Sequence, residues 1–263
     1  MPAHANFKID LKESFEHLPN APIVEAVIHW RARSEKKLVP AELLRQLKER
    51  LPDYPMSQQQ QEIEMESQID SDGSAAQQHR TSWHGFRFES NDHRHVAQFT
   101  RNGFVFSRLK PYESWEPFEA EAQRLWQVYR ELAEPSEIQR LGVRFINLIA
   151  PVQPEQLKRL LTLPPKNPKG LELPVRGFMH QTTFETPGSP YTLNVNQTIQ
   201  PTSPPHASGF NLILDIDVST TTVLELDSDK IKQRLAEMRW LKDKAFFTLL
   251  KKSALQRFKE VSK

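Results

Sequence analysis

Residues 22–32 read Pro-Ile-Val-Glu-Ala-Val-Ile-His-Trp-Arg-Ala, and no other stretch constrains the fold as tightly. Side chains of a strand point to opposite faces with a period of two, so Val24, Ala26, Ile28 and Trp30 share one face, and Ile23, Glu25, Val27 and His29 share the other. A strand with one apolar face and one mixed face belongs inside a sheet covered on one side only. An all-helical fold is therefore excluded.

The signals that follow this run recur in the same order. Pro40 opens a helix in which Leu43, Leu44, Leu47 and Leu51 fall at helical spacing and which Pro52 ends. Strands are predicted at Gln61–Ile69, Trp83–Glu89, His95–Thr100 and Phe104–Leu109. Asn102-Gly103 supplies the tight hairpin before the last of them. Ser114 then caps a helix through Ala133 with a broad apolar stripe. The second pass begins at Ile138–Ala150, a long strand. Pro154 opens a short helix, Glu155–Leu161, and strands follow at Arg176–Thr186, Tyr191–Gln200 and Phe210–Ser219. A helical segment from Ser228 to Phe258 closes the chain, with a break predicted near Trp240.

This order predicts an α+β fold of two pseudo-repeated β-α-β-β-β-α halves that share an antiparallel sheet through their leading strands, helices packed on one side. The predicted divisions are an N-terminal arm at 1–19, a first half at 20–135 and a second half at 136–263. In that arrangement Glu25 and Arg144 hold equivalent positions and are expected to meet across the join.

Composition narrows the functional classes. The chain has no Cys, which removes thiolate catalysis, disulfides and Cys-ligated metals and fits a reducing, cytoplasmic setting. No apolar run is long enough to cross a membrane as a helix, and the first residues carry neither the basic nor the apolar region of a secretory leader. With only 8 Gly there is no phosphate-cradling loop, and no nucleophile elbow or HExxH appears, so no cofactor is implied. The near-zero net charge hides an asymmetry: residues 228–263 hold eleven Lys and Arg against four acids.

Several residue groups could carry chemistry. Polar residues within the long strands, Glu25, His29, Arg144 and Asn147, must pair with one another, with backbone or with a ligand; Arg144 is suited to an anion because its fork grips carboxylate or phosphate at two points. Glu62, Glu64 and Glu66 alternate on one strand and Asp215 and Asp217 on another. Glu62, Glu64, Asp215 and Asp217 would have to converge to hold a metal for phosphate transfer. His79, His84, His93 and His95 cluster in sequence, with His93 and His95 placed as a chelating pair. Lys230, Lys232, Arg234, Arg239, Lys242, Lys244, Lys251 and Lys252 give the last helix a basic character that could follow a nucleic-acid backbone.

The runs Pro22-Ile-Val-Glu-Ala-Val, Arg140-Leu-Gly-Val-Arg-Phe-Ile-Asn147 and Leu214-Asp-Ile-Asp217, with the Trp240/Phe246/Phe247 helix, resemble a sporadically distributed bacterial family of uncharacterised proteins of about this length. The resemblance spans nearly the whole chain. It implies an accessory or mobile locus with a partner encoded nearby, and it brings no reaction, ligand or catalytic residue. The expected function is non-enzymatic binding of a small anionic ligand or a protein partner. The alternatives are a metal-dependent phosphate-transfer or nucleotide enzyme and a nucleic-acid-associated accessory protein.

Overall fold

The structure is a computed structural model that describes residues 7–69, 75–171, 173–202 and 209–259, the side chains of 64–69 and 75–79 excepted. Its strands are β1 (Ile23–Arg33), β2 (Met56–Ile69), β3 (Ala75–Glu89), β4 (His95–Thr100), β5 (Gly103–Leu109), β6 (Glu137–Val152), β7 (Met179–Glu185), β8 (Thr192–Pro201) and β9 (Phe210–Thr220). The helices are α1 (Pro40–Arg50), α2 (Trp115–Ala133), α3 (Leu157–Leu160, entered through a 3-10 turn at Pro154–Gln156), α4 (Ser228–Leu249) and α5 (Lys252–Gln256). The fold is α+β, and the nine strands form one antiparallel sheet in the order β2-β3-β4-β5-β1-β6-β9-β8-β7.

The alternation in β1 decides which way the sheet faces. Ala26, Ile28, Trp30 and Ala32 are buried on one face, where Trp30 stacks on Trp126 of α2 with ring centroids 5.4 Å apart and planes 7° apart. Stacking of two large rings adds to their area burial and anchors α2 over β1 and β5. Leu43 and Leu47 of α1, and Trp115, Phe118, Ala122, Leu125 and Trp126 of α2, complete this core. A second cluster lies under α4 and α5, where Ile149, Val195, Ile199, Leu212, Leu214 and Ile216 meet Ala245, Phe246, Leu250 and Ala254. The opposite face of β1 and β6 is more exposed and mixed, with Glu25, His29, Arg140 and Arg144 set among Val27, Ile146 and Leu148.

Several boundaries differ from the sequence reading for identifiable reasons. β2 starts at Met56 rather than Gln61, and β3 at Ala75 rather than Trp83, because the two strands pair with each other along their whole length. That mutual ladder satisfies the backbone, so Gln58–Gln61 needs no apolar partner. α4 runs unbroken through Trp240, and the break falls at Leu250, where the backbone leaves the helix to pair with Leu161 and the Lys251 N–H donates to the Leu160 carbonyl. Residues 7–21 adopt neither helix nor strand but lie along α4: Phe15 stacks on Phe247 at 5.4 Å, Lys244 reaches Glu13 at 2.7 Å, and the Asn20 N–H donates to the Phe258 carbonyl.

Candidate functional site

The two long strands β1 and β6 lie side by side at the middle of the sheet, antiparallel, with Val27 opposite Arg144 and Glu25 opposite Ile146. The expected Glu25–Arg144 bridge therefore does not form. A register two residues away from equivalence puts Val27 across from Arg144, and Arg144 turns instead to β9, where its Nε and one terminal nitrogen donate to the two oxygens of Asp215 at 2.8 and 2.7 Å. One strand turn away, Arg140 lies back over Gly142 and donates to Nδ1 of His29 at 2.9 Å and to Asp217 at 3.2 Å. Since a guanidinium can only donate, His29 accepts at Nδ1 and is neutral. Burial, reinforced by the nearby Arg140 and Arg31 charges, holds its pKa down to about 4. Burial also pushes the Asp217 carboxyl up, against the pull of Arg140 and Arg144. Two arginines thus face Asp215, Asp217 and the field of Glu25. The network on this open face is already neutralised from within the chain, which suits it to fixing strand register rather than to capturing an anion.

The other face of the same junction holds a half-enclosed cavity of about 190 Å³. It is lined by Ile23, Tyr112 and the start of α2 at Ser114–Glu116, by Phe145 and Asn147 of β6 and, from α4, by Arg239, Lys242, Asp243, Phe246 and Phe247. The segment before β1 closes one side with Phe15–Leu18 and Ala21. Tyr112 meets Phe145 edge to face at 5.3 Å, and Trp115 lies at 6.4 Å from the same ring. Lys242 is only 8% exposed; its ammonium sits 4.0 Å from the centre of the Phe145 ring and pairs with Asp243. Desolvation holds its pKa below the usual lysine range, with Asp243 opposing. Arg239 covers Trp115 and donates to Glu116 at 2.9 Å. Asn147, 1% exposed, donates its amide to the Leu214 carbonyl at 3.0 Å and to the Phe145 carbonyl at 3.4 Å.

These placements divide the residues singled out from sequence. Glu25, His29 and Arg144 lie on the open face, whereas Asn147 faces the cavity on the opposite side, so the four do not form one site. Glu62 and Glu64 on β2 stand six strand positions from Asp215 and Asp217 on β9, about 29 Å at normal strand spacing. Glu62 is bound to Arg101 at 2.6 Å and the two aspartates to arginines, while the side chain of Glu64 lies outside the described residues; the strand separation alone keeps the β2 and β9 positions from sharing a metal. Among the described residues no three His, Asp or Glu side chains cluster as a metal site.

The histidines also separate. His93 sits in a turn with a left-handed backbone and contacts Glu89, His95 stacks on Phe106, His84 approaches Glu62, and the side chain of His79 lies outside the described residues. Glu66 has its side chain outside them as well. Of the eight basic residues singled out near the end of the chain, six are engaged internally: Lys230 with Glu225, Arg234 with Glu237, Arg239 with Glu116, Lys242 with Asp243, Lys244 with Glu13, and Lys251 with the Lys158 carbonyl. They form no continuous stripe.

From sequence, Lys242 is singled out only for the basic character of the last helix, although its position marks it for burial. Leu235, Met238, Leu241, Ala245 and Phe246 are the buried positions around it, so a lysine at 242 interrupts the apolar stripe of α4 and must be buried with it. No family model matches the chain, and no curated protein matches it. No helix among the described residues is long and apolar enough to cross a membrane.

Proposed function

We propose that this chain is a non-enzymatic binding protein that holds a small anionic molecule in the cavity between its halves. The observation that carries this reading is the cavity itself: it is lined from both halves and the arm, aromatic on most sides, and furnished with a few convergent polar groups, the usual makeup of a ligand site. The catalytic alternative has no comparable support, because its acidic positions lie on strands far apart in the sheet and Glu62, Asp215 and Asp217 are already bound to arginines. A protein partner is the second reading. It is favoured by the open face, where the side chain of Arg144 is 49% exposed and one terminal nitrogen has no partner among the described residues.

Two finer readings accompany the proposal. The halves are a pseudo-repeat with helices on one side, supported by the outward orders β1-β5-β4-β3 and β6-β9-β8-β7 about the central pair. The resemblance to the sporadically distributed bacterial family, with a cytoplasmic setting and a partner encoded nearby, rests on the three sequence runs and the absence of Cys.

The test is native mass spectrometry on the full chain purified gently from its own host, beside an Ala21→Phe variant that fills the cavity. A small bound species present in the wild type and lost in the variant is the expected result. Stoichiometric metal or nucleotide, or a species that Ala21→Phe retains, would overturn the reading.

A further inference from the structure

The cavity's polar groups specify its ligand more narrowly than charge alone, and this step rests on the cavity being the binding site. Lys242 offers three N–H donors in a place shielded from water. One goes to Asp243 and the ammonium faces the Phe145 ring, but among the described residues Asp243 is its sole hydrogen-bond acceptor. That leaves two N–H donors of a buried ammonium without an acceptor among the described residues, and the neighbouring space is the cavity. An oxygen supplied from the cavity would complete it. Tyr112 packs edge to face on the same Phe145 ring and lines the same cavity, and its hydroxyl, which has no hydrogen-bond partner among the described residues, is a further donor for such a group.

The rest of the wall sets size and charge. Six aromatic rings, Phe15, Tyr112, Trp115, Phe145, Phe246 and Phe247, line the space, which holds roughly ten non-hydrogen atoms at protein packing density. Carboxylates also line it: Asp243, Glu116, Glu113 and Glu16. Lys242 answers Asp243, Arg239 answers Glu116, Arg108 answers Glu113 and Lys259 answers Glu16, so the wall carries no surplus positive charge. With Lys242 and Arg239 already paired, every ligand charge adds to the acids of the wall, so a dianion such as a phosphate monoester would bring two charges against Asp243 and Glu116 where a monocarboxylate brings one. A single carboxylate spreads one charge over two acceptor oxygens and fits the two unmet donors.

We infer that the cavity takes a small monocarboxylic acid with an aromatic or similarly compact apolar body, its carboxylate on Lys242 and Tyr112 and its body among the rings. The arm segment Phe15–Leu18 then packs over the ligand as part of its site.

The experiment titrates the full chain with three probes of one shape, namely benzoate, neutral benzyl alcohol and dianionic phenyl phosphate at pH 8, and reads tryptophan fluorescence and calorimetric heat. Benzoate should bind saturably and at least about tenfold more tightly than either other probe. Lys242→Met should weaken benzoate by at least about tenfold and benzyl alcohol by much less. If benzyl alcohol binds as tightly as benzoate, or phenyl phosphate binds better, the carboxylate assignment fails and the cavity remains a binding site. If none of the three saturates up to about 10 mM, or Ala21→Phe leaves all three isotherms unchanged, the cavity reading fails with it. The comparison among probes on the wild type decides the matter even where Lys242→Met does not fold.

Discussion

Removal of Arg144 tests whether the open-face network is structural. Asp215 is 8% exposed and receives two charge-assisted hydrogen bonds from the Arg144 fork at 2.8 and 2.7 Å, with Asn196 a further 3.5 Å away. Arg144→Ala leaves that carboxylate with only the long amide contact in a partly desolvated place. Hydrogen bonds to charged groups contribute about 1.5–3 kcal/mol, and the half-exposed arginine puts this pair at the lower part of that range, about 2 kcal/mol. For a chain of this size that lowers the thermal midpoint by about 4–8 °C. The cost is mostly the stranded acid, so Asp215→Asn should recover more than half of it in the Arg144→Ala background, with a coupling of about 1.5 kcal/mol in the double-mutant cycle. Urea titration of the four proteins, followed by far-UV circular dichroism with m-values compared, measures both quantities. A loss under about 0.5 kcal/mol for Arg144→Ala, with no coupling, would refute the argument and return Arg144 to the pool of ligand contacts.

Two further predictions probe the same strands. His29 is held neutral in the folded chain at a pKa of about 4 but titrates near 6.5 when unfolded, so the unfolded state binds the extra proton first as pH falls. Its contribution is thus complete above pH 6.5 and is lost between there and pH 4, amounting to about 2 kcal/mol between about pH 7.5 and pH 5. His29→Gln should remove that part of the pH dependence in urea titrations, and an unchanged slope would contradict the burial and charge argument. Glycines differ by what a methyl group would strike: at Gly103 it would lie 2.1 Å from the Trp30 carbonyl oxygen, fixed backbone, whereas at Gly142 it would lie 2.8 Å from the end of the Arg140 side chain, which can move. Gly103→Ala should cost about 3 kcal/mol and Gly142→Ala under about 1, and equal losses by thermal denaturation would show that Arg140 is as rigid as backbone.

How much of this was legible beforehand follows the physics of each signal. Period-two alternation in 22–32 and 138–150, the Asn102-Gly103 turn and the stripe of α2 are local, and each element they mark is present. Register is not local. Glu25 and Arg144 hold matching places in their own strands, yet the pairing that buries Ala26 and Val143 on one face sets Val27 against Arg144. Alternation also separates Asn147 from Arg144, since Asn147 lies two residues from the core-facing Phe145; grouping them as polar strand residues ignored the face. The length of β2 and β3 was hidden because a polar ribbon pairs through its backbone and leaves no apolar trace.

Lys242 carries the last step, because its stability and its binding should respond in opposite directions. A buried ammonium with one carboxylate partner is a poor contributor to folding, and replacing such a charge with an apolar chain of similar length is commonly neutral or stabilising. Methionine at 242 would sit against Phe145 and Phe246, which favour its polarisable sulfur. Asp243, deprived of Lys242, keeps Arg239 at 3.9 Å and is partly exposed, so it is not stranded as Asp215 would be. Lys242→Met should therefore change unfolding free energy by between zero and about +2 kcal/mol, the reverse of Arg144→Ala, while abolishing selection for benzoate. A residue that weakens the fold and is needed for a ligand belongs to a binding site; a loss above about 2 kcal/mol in urea denaturation of Lys242→Met would make the Lys242–Asp243 pair a structural element and remove the reason for expecting a carboxylate beside it.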